Sequence, residues 1–286
     1  MAILSRAVER LFFLAAAGSA LLTAALFLLL VHLALPLFEQ GGLLALLRSP
    51  WDPGAGLYGI YPMVVGSLSI AFLALLIGFP LSLGGAFFIT TFAPLPLRRP
   101  LLNLVRLLTG IPTVVYSFAA LFLLVPFMRE HLTGGAGLNI LSAALMLALL
   151  IAPTMIIFFV DAIRRVPSSY TQAAAALGGS PAQRLVYIAL PLAWPGIHNG
   201  LLLALGRAMG DTMISLMIAG NAVAAPESVT DGARTLTAHI ALVIAADVSS
   251  LEFQSIFACG ILLYLFTAIL VLTLRLLGRL PERHTG

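Results

Sequence analysis

The sequence predicts an all-α integral membrane protein with six transmembrane helices, and three observations carry that prediction. Of 286 residues, 61% are apolar and only 9% are charged, against about a quarter charged in soluble globular chains. The apolar residues gather into six runs, 11–35, 63–91, 104–127, 139–160, 197–219 and 254–276, each of about 20 residues or more, the length that crosses a bilayer. The basic residues sit at the ends of those runs, where charge reports orientation in a membrane and not a nucleic-acid groove.

Each run has its own reading. The first follows Arg6 and Arg10 and continues to Leu35; it outlasts a signal-peptide core of about 7–15 residues, so it is expected to stay as an anchor. The second holds Pro80 with Gly78, Gly84 and Gly85 and is too short for two spans, which predicts one tilted or kinked helix. The third contains GIPTVVYSF, where Thr113, Tyr116 and Ser117 put hydroxyls into apolar surroundings. These either bond their own helix or a neighbour, or line a pathway beside a helix broken at Gly110 and Pro112. The fourth ends at Asp161, Arg164 and Arg165, an interfacial anchor. His32 and His198 near span ends read as interfacial histidines.

Eleven of the 15 arginines fall on one side of this arrangement, and Arg48, Arg129 and Arg234 on the other. The positive-inside rule then puts both termini in the cytoplasm, and an even number of spans agrees. The chain divides into an anchor helix with its outer loop (1–62), a core (63–276) carrying an inner loop (161–196), and a short tail (277–286).

Composition also excludes chemistry. There is no lysine, so no P-loop can reach nucleotide phosphates. The single cysteine, Cys259, rules out an internal disulfide or a cysteine-rich metal cluster, and the five histidines show no ligand spacing. The chain is expected to bind no cofactor or metal, to contact no nucleic acid, and to be no enzyme.

The inner loop, DAIRRVPSSYTQAAAALGGSPAQRLVYIALPLAWPGI, is punctuated as two short helices. Ser168 or Ser169 is expected to cap the first, whose body is Tyr170–Leu177. Gly178 and Gly179 end it, and Ser180-Pro181 starts another. An Ala-rich helix buries little by itself and needs something to pack on. The spacing Gln172-Ala173-Ala174, Gly178, Ile188-x-Leu190-Pro191 resembles the EAA-x3-G-x9-I-x-LP motif of ABC importer permeases. That resemblance implies a type I importer fold and a coupling helix docked on a cytoplasmic ATPase dimer, which would bind the ATP and magnesium. Gln172 replaces the motif's Glu, so a salt bridge there becomes at most a hydrogen bond.

The fifth run places Arg207 and Asp211 near mid-span. Each costs about 2.5–3.5 kcal/mol to insert at a helix centre. The i, i+4 spacing puts them one above the other on one face, where they neutralise one another, either as a structural pair or as a station on a solute pathway. A guanidinium suits tetrahedral oxyanions. The words GRAMGDTMISLMIAGN, DGARTLTAHIA, YGIYPMVVGSL and LLTGIPTVVYSF look like the PstC-type permease of phosphate ABC importers, more than its PstA-type paralogue. The resemblance implies inorganic phosphate as cargo, a second permease subunit, an extracytoplasmic phosphate-binding protein, and a path lined by Arg207, Asp211, Thr212, Thr113 and Tyr116. Asp211 stands where that family usually has Glu. The outer charges Glu227, Asp231, Arg234 and Asp247 either meet the binding protein or solvate the loop. Another ABC cargo (sulfate, molybdate or an organic solute) and a gradient-driven transporter are the alternatives.

Overall fold

A computed structural model describes residues 2–39, 46–133 and 135–279; Arg283 lies outside them. Among the described residues, six helices are long and apolar enough to cross a membrane: Val8–Leu37, Tyr61–Phe92, Thr113–Leu132, Ile140–Arg164, Pro181–Gly210 and Leu251–Leu276. The expected all-α, six-span architecture is thus present.

In chain order the elements are α1 (Ala2–Glu39), β1 (Trp51–Asp52), β2 (Leu57–Tyr58), α2 (Tyr61–Phe87), α3 (Leu95–Thr109), α4 (Thr113–Met128), α5 (Ile140–Arg164), α6 (Ser168–Ala176), α7 (Pro181–Arg184), α8 (Leu190–Gly210), α9 (Met213–Ile218), α10 (Leu236–Val243) and α11 (Leu251–Arg279). The two strands form one antiparallel pair with Trp51 opposite Tyr58. π-helical turns at Phe88–Phe92 and Leu185–Ala189 prolong α2 and join α7 to α8.

Helix α5 sits at the centre, packed on α2, α3, α4 and α8, with Leu147, Ile151, Met155 and Phe159 excluded from solvent. Lipid is as apolar as leucine, so helices associate through close approach and not through hydrophobic expulsion. Small residues provide that approach. Gly78 faces Met155 and Ala148, Gly85 faces Ile156, and Gly196 faces Ala162. A Cβ on Gly200 would come within 2.8 Å of the Phe158 Cβ and 3.0 Å of Phe159, so the α5–α8 spacing depends on its absence. The anchor α1 packs on α11, where Phe27 stacks on Tyr264 at 4.7 Å. A second apolar cluster, on the side opposite the termini, joins Trp51, Ile60 and Met63 to Leu236, Val243 and Cys259.

Four local expectations are corrected. The run 104–127 is not one span: α3 is a separate amphipathic helix that buries Leu102 and Val105 and exposes Leu104 and Leu107. It ends at Gly110, and Pro112 (φ −59°, ψ 142°) then starts α4; the residue before a proline is steered away from helix. The run 197–219 is displaced. Its helix starts at Pro181, passes the π turn where the Leu190 N–H reaches the Leu185 carbonyl, and stops at Gly210 because Asp211 is extended at ψ 129°. Pro191 lacks an N–H, which favours such a loosened turn. Ser168 and Ser169 do not cap α6: Pro167 holds the cap position, no side chain caps there, and Ser168 is already helical. The stacking of Arg207 on Asp211 also fails, as described next. The second run is one helix through Pro80, as expected.

Candidate translocation site and coupling hairpin

Arg207 lies in the last turn of α8 and is half-buried. Its Nη1 donates to Thr154 Oγ1 on α5 at 2.8 Å. Asp211 is 7% exposed and bonds elsewhere. Its Oδ2 accepts the Ile214 N–H at 2.8 Å, which satisfies an orphan donor at the start of α9, as an N-cap carboxylate does. The two side chains form no ion pair within 4.0 Å. The i, i+4 stack requires an unbroken helix, and the helix ends between them. Arg207 is therefore held by an uncharged partner.

The Asp211 carbonyl accepts the Ser215 hydroxyl at 3.4 Å and the Thr237 hydroxyl at 2.9 Å. Thr237 also meets Thr235 at 3.1 Å, and Thr235 Oγ1 caps α10 through the Ala238 N–H. Ser67 on α2 accepts the Leu236 N–H at 2.9 Å. These groups form a buried polar seam between the broken end of α8, α2 and α10. Thr212 is half-buried, and its carbonyl accepts the Leu216 N–H.

Thr113 and Tyr116 are not joined to this seam by any hydrogen bond among the described residues. The Tyr116 hydroxyl donates to the Leu108 carbonyl at 3.2 Å, fastening α4 to α3, and the Ser117 hydroxyl bonds the Thr113 carbonyl in its own helix.

The hairpin is as punctuated as its sequence. Gly178 takes φ +82°; its N–H donates to the Ala175 carbonyl and that of Gly179 to the Ala174 carbonyl, a Schellman closure. Ser180 and Gln183 exchange side chain-to-backbone bonds of 3.3 and 2.8 Å, a capping box that the reading of Ser180-Pro181 alone did not include. No residue of α6 is buried. Gln172 and Ala173 are exposed, Ala174 is half-buried, and Leu177 at the tip is 90% exposed. Leu190 packs against the main core, whereas Pro191 is exposed.

Residues 78–282 match the family described as binding-protein-dependent transport system inner membrane component. The chain belongs to that family. This permease is 32% identical over 285 residues to the phosphate transport system permease protein PstC of Pasteurella multocida, covering 93% of this chain and 89% of that one. It is 33% identical to the probable ABC transporter permease protein YqgH of Bacillus subtilis, over 77% of this chain and 72% of the other. Its fold matches a permease in the crystal structure of a bacterial alginate ABC transporter in complex with an alginate-bound periplasmic protein, with a TM-score of 0.64, 96% of each chain covered and 16% identity. It is an ABC importer permease, a multi-pass inner-membrane protein and a transport component.

In this permease most charges of the segment 220–253 build the segment itself. Asp231 Oδ2 accepts the Glu227 and Ser228 N–H groups. Arg234 Nε donates to the Asn221 carbonyl at 3.3 Å. Asp247 Oδ1 accepts the Ser249 N–H, which holds its carboxyl below the usual range. The same region buries His239, whose Nε2 lies 2.9 Å from Ser255 Oγ and whose ring meets Trp51 edge-on at 4.4 Å. Ser255 commits its own proton to the Glu252 carbonyl, so His239 Nε2 is the donor in that contact. Burial, with the Arg234 charge second, pushes His239 down to about 4.

Sequence reasoning assigned no individual role to Thr154, Ser67, Thr235 or Thr237. Thr154 had a visible signal, a hydroxyl beside Pro153 in an otherwise apolar run. The others are ordinary hydroxyls whose partners lie far along the chain.

Proposed function

We propose that this permease imports inorganic phosphate as one of a paralogous pair of permeases, receiving the anion from an extracytoplasmic binding protein. Both termini and the 168–191 hairpin face the cytoplasm, where the exposed Gln172–Ala173 face and the Leu177 tip seat on an ABC ATPase dimer. That dimer binds ATP and magnesium, since this chain has no lysine for a P-loop. The path runs by Arg207, Asp211 and Thr212, with Thr113 and Tyr116 at the other end of the neighbouring span.

One observation carries the reading. Arg207 is a half-buried cation within the bundle whose bonded partner is the neutral Thr154 hydroxyl, and not Asp211. A guanidinium within the membrane that forms no direct ion pair is costly unless it faces a polar path or an anion, and its planar fork suits an oxyanion. The likeness to PstC proteins over most of the chain supports phosphate among oxyanions. The fold alone does not choose a cargo.

The test is to purify the chain with its co-expressed neighbours, reconstitute the assembly, and measure ATP-dependent uptake of labelled phosphate against sulfate. Uptake of phosphate that needs ATP and is lost in Arg207→Gln is expected. Uptake without ATP points to a gradient-driven carrier, and sulfate in place of phosphate points to a different ABC cargo.

A further inference from the structure

We propose that Thr154 is a second anion-binding residue, donating its hydroxyl proton to the oxyanion that Arg207 holds. The inference rests on the reading of Arg207 as the anion station and adds a residue from a different helix to it.

The geometry that singles out Thr154 is a contrast with five other helical threonines. Thr23, Thr90, Thr109, Thr267 and Thr273 each return their proton to a carbonyl three or four residues earlier in the same helix, the ordinary arrangement in an apolar environment. Thr154 does not. Its oxygen accepts from Arg207 Nη1, and among the described residues its proton has no acceptor. A guanidinium offers five N–H donors, of which one is committed here. Both residues are half-buried and keep an accessible edge.

What the pair presents is donors only: the remaining guanidinium N–H groups from α8 and one O–H from α5. Such an edge suits deprotonated oxygens of a tetrahedral anion, which can accept from both at once. The place on α5 is also prepared. Pro153 interrupts the helical hydrogen bonding one residue earlier, and Ser82 on α2 braces the Ala152 carbonyl at 3.3 Å. Three helices therefore meet at Ala152–Thr154, and the Thr154 backbone is held while its side chain reaches across to α8.

The test uses the reconstituted transporter with Thr154→Val, which keeps shape and removes the hydroxyl, Thr154→Ala as a smaller truncation, Thr154→Ser as the conservative change, and Arg207→Gln as the control for the parent reading. Initial rates of ATP-driven uptake are measured over a range of inorganic phosphate concentrations, alongside the yield of assembled complex. Loss of one hydrogen bond to a charged ligand is expected to raise KM about ten-fold or more in the Val and Ala variants, with kcat largely kept, and to leave Ser within about two-fold of wild type. If the Ala variant assembles and shows wild-type KM while Arg207→Gln abolishes uptake, the assignment of Thr154 is overturned and that of Arg207 stands. If kcat falls without a change in KM and Ser does not rescue it, Thr154 serves packing only, and the proposal is again overturned. Normal uptake by Arg207→Gln removes the parent reading and the proposal with it.

Discussion

Ser67 on α2 accepts the backbone N–H of Leu236 at 2.9 Å, across 169 positions of sequence. Both groups are buried, and beside them Gly66 leaves room for the Arg234 carbonyl. One hydroxyl therefore anchors the start of α10 to α2. Ser67→Ala leaves a buried N–H without a partner, a loss of about 1–3 kcal/mol. A Tm lowered by several degrees in detergent is expected. An unchanged Tm would mean that α10 is held elsewhere.

Asp211 divides into two testable roles because its capping bond and its charge are separable. Asparagine is as good an N-cap as aspartate, and alanine is worse by about 1 kcal/mol. Asp211→Asn should therefore keep wild-type thermal stability, and Asp211→Ala should lower it. Uptake that fails equally in both variants assigns the transport role to the charge; uptake that tracks Tm assigns it to the cap on α9.

Gly178 sits at φ +82°, and a Cβ added there would meet no neighbouring side chain or backbone within 4 Å, so an added methyl meets backbone strain and no clash. Gly178→Ala should cost roughly 1 kcal/mol within the hairpin. Since α6 buries nothing, the cost stays local. Faster amide exchange over 168–180 with an almost constant Tm is the expected pattern, and a large fall in Tm would show that the hairpin is packed on the bundle.

His239 links the outer cluster to pH. Its folded value of about 4 lies below the ordinary value of 6.5, so the unfolded chain binds the extra proton first. Stability contributed by the neutral ring is present above about pH 6.5, declines as the pH falls toward 4, and is constant below that. The whole decline is roughly 3 kcal/mol. Comparing Tm of wild type and His239→Gln between pH 7 and 4 isolates it. Parallel curves would show that His239 does not titrate with unfolding.

The spans were legible because a run of apolar residues fixes a transmembrane helix almost without tertiary context. The hairpin was legible because Gly178, Ser180 and Pro181 dictate their own backbone geometry. The boundary between α3 and α4 was half-legible: Gly110 and Pro112 were noted as breakers, but hydropathy alone merged an interfacial helix with the span behind it. Arg207 and Asp211 were found as charges in an apolar run, yet their partners were not. The helix break that separates them is a single dihedral choice at Asp211, stabilised by α9 and by Thr237, and no periodicity records that. Ser67 and Thr154 acquire meaning only from helices brought beside them.

The stretch Pro181–Gly210 is one helical span of 30 residues, about 45 Å of rod at 1.5 Å per residue, with the hairpin at one end and Arg207 at the other. A rigid rod of that length would carry a tilt at its hairpin end to the guanidinium at the far end, and the π turn at 185–189 is the joint where such a stroke would be softened.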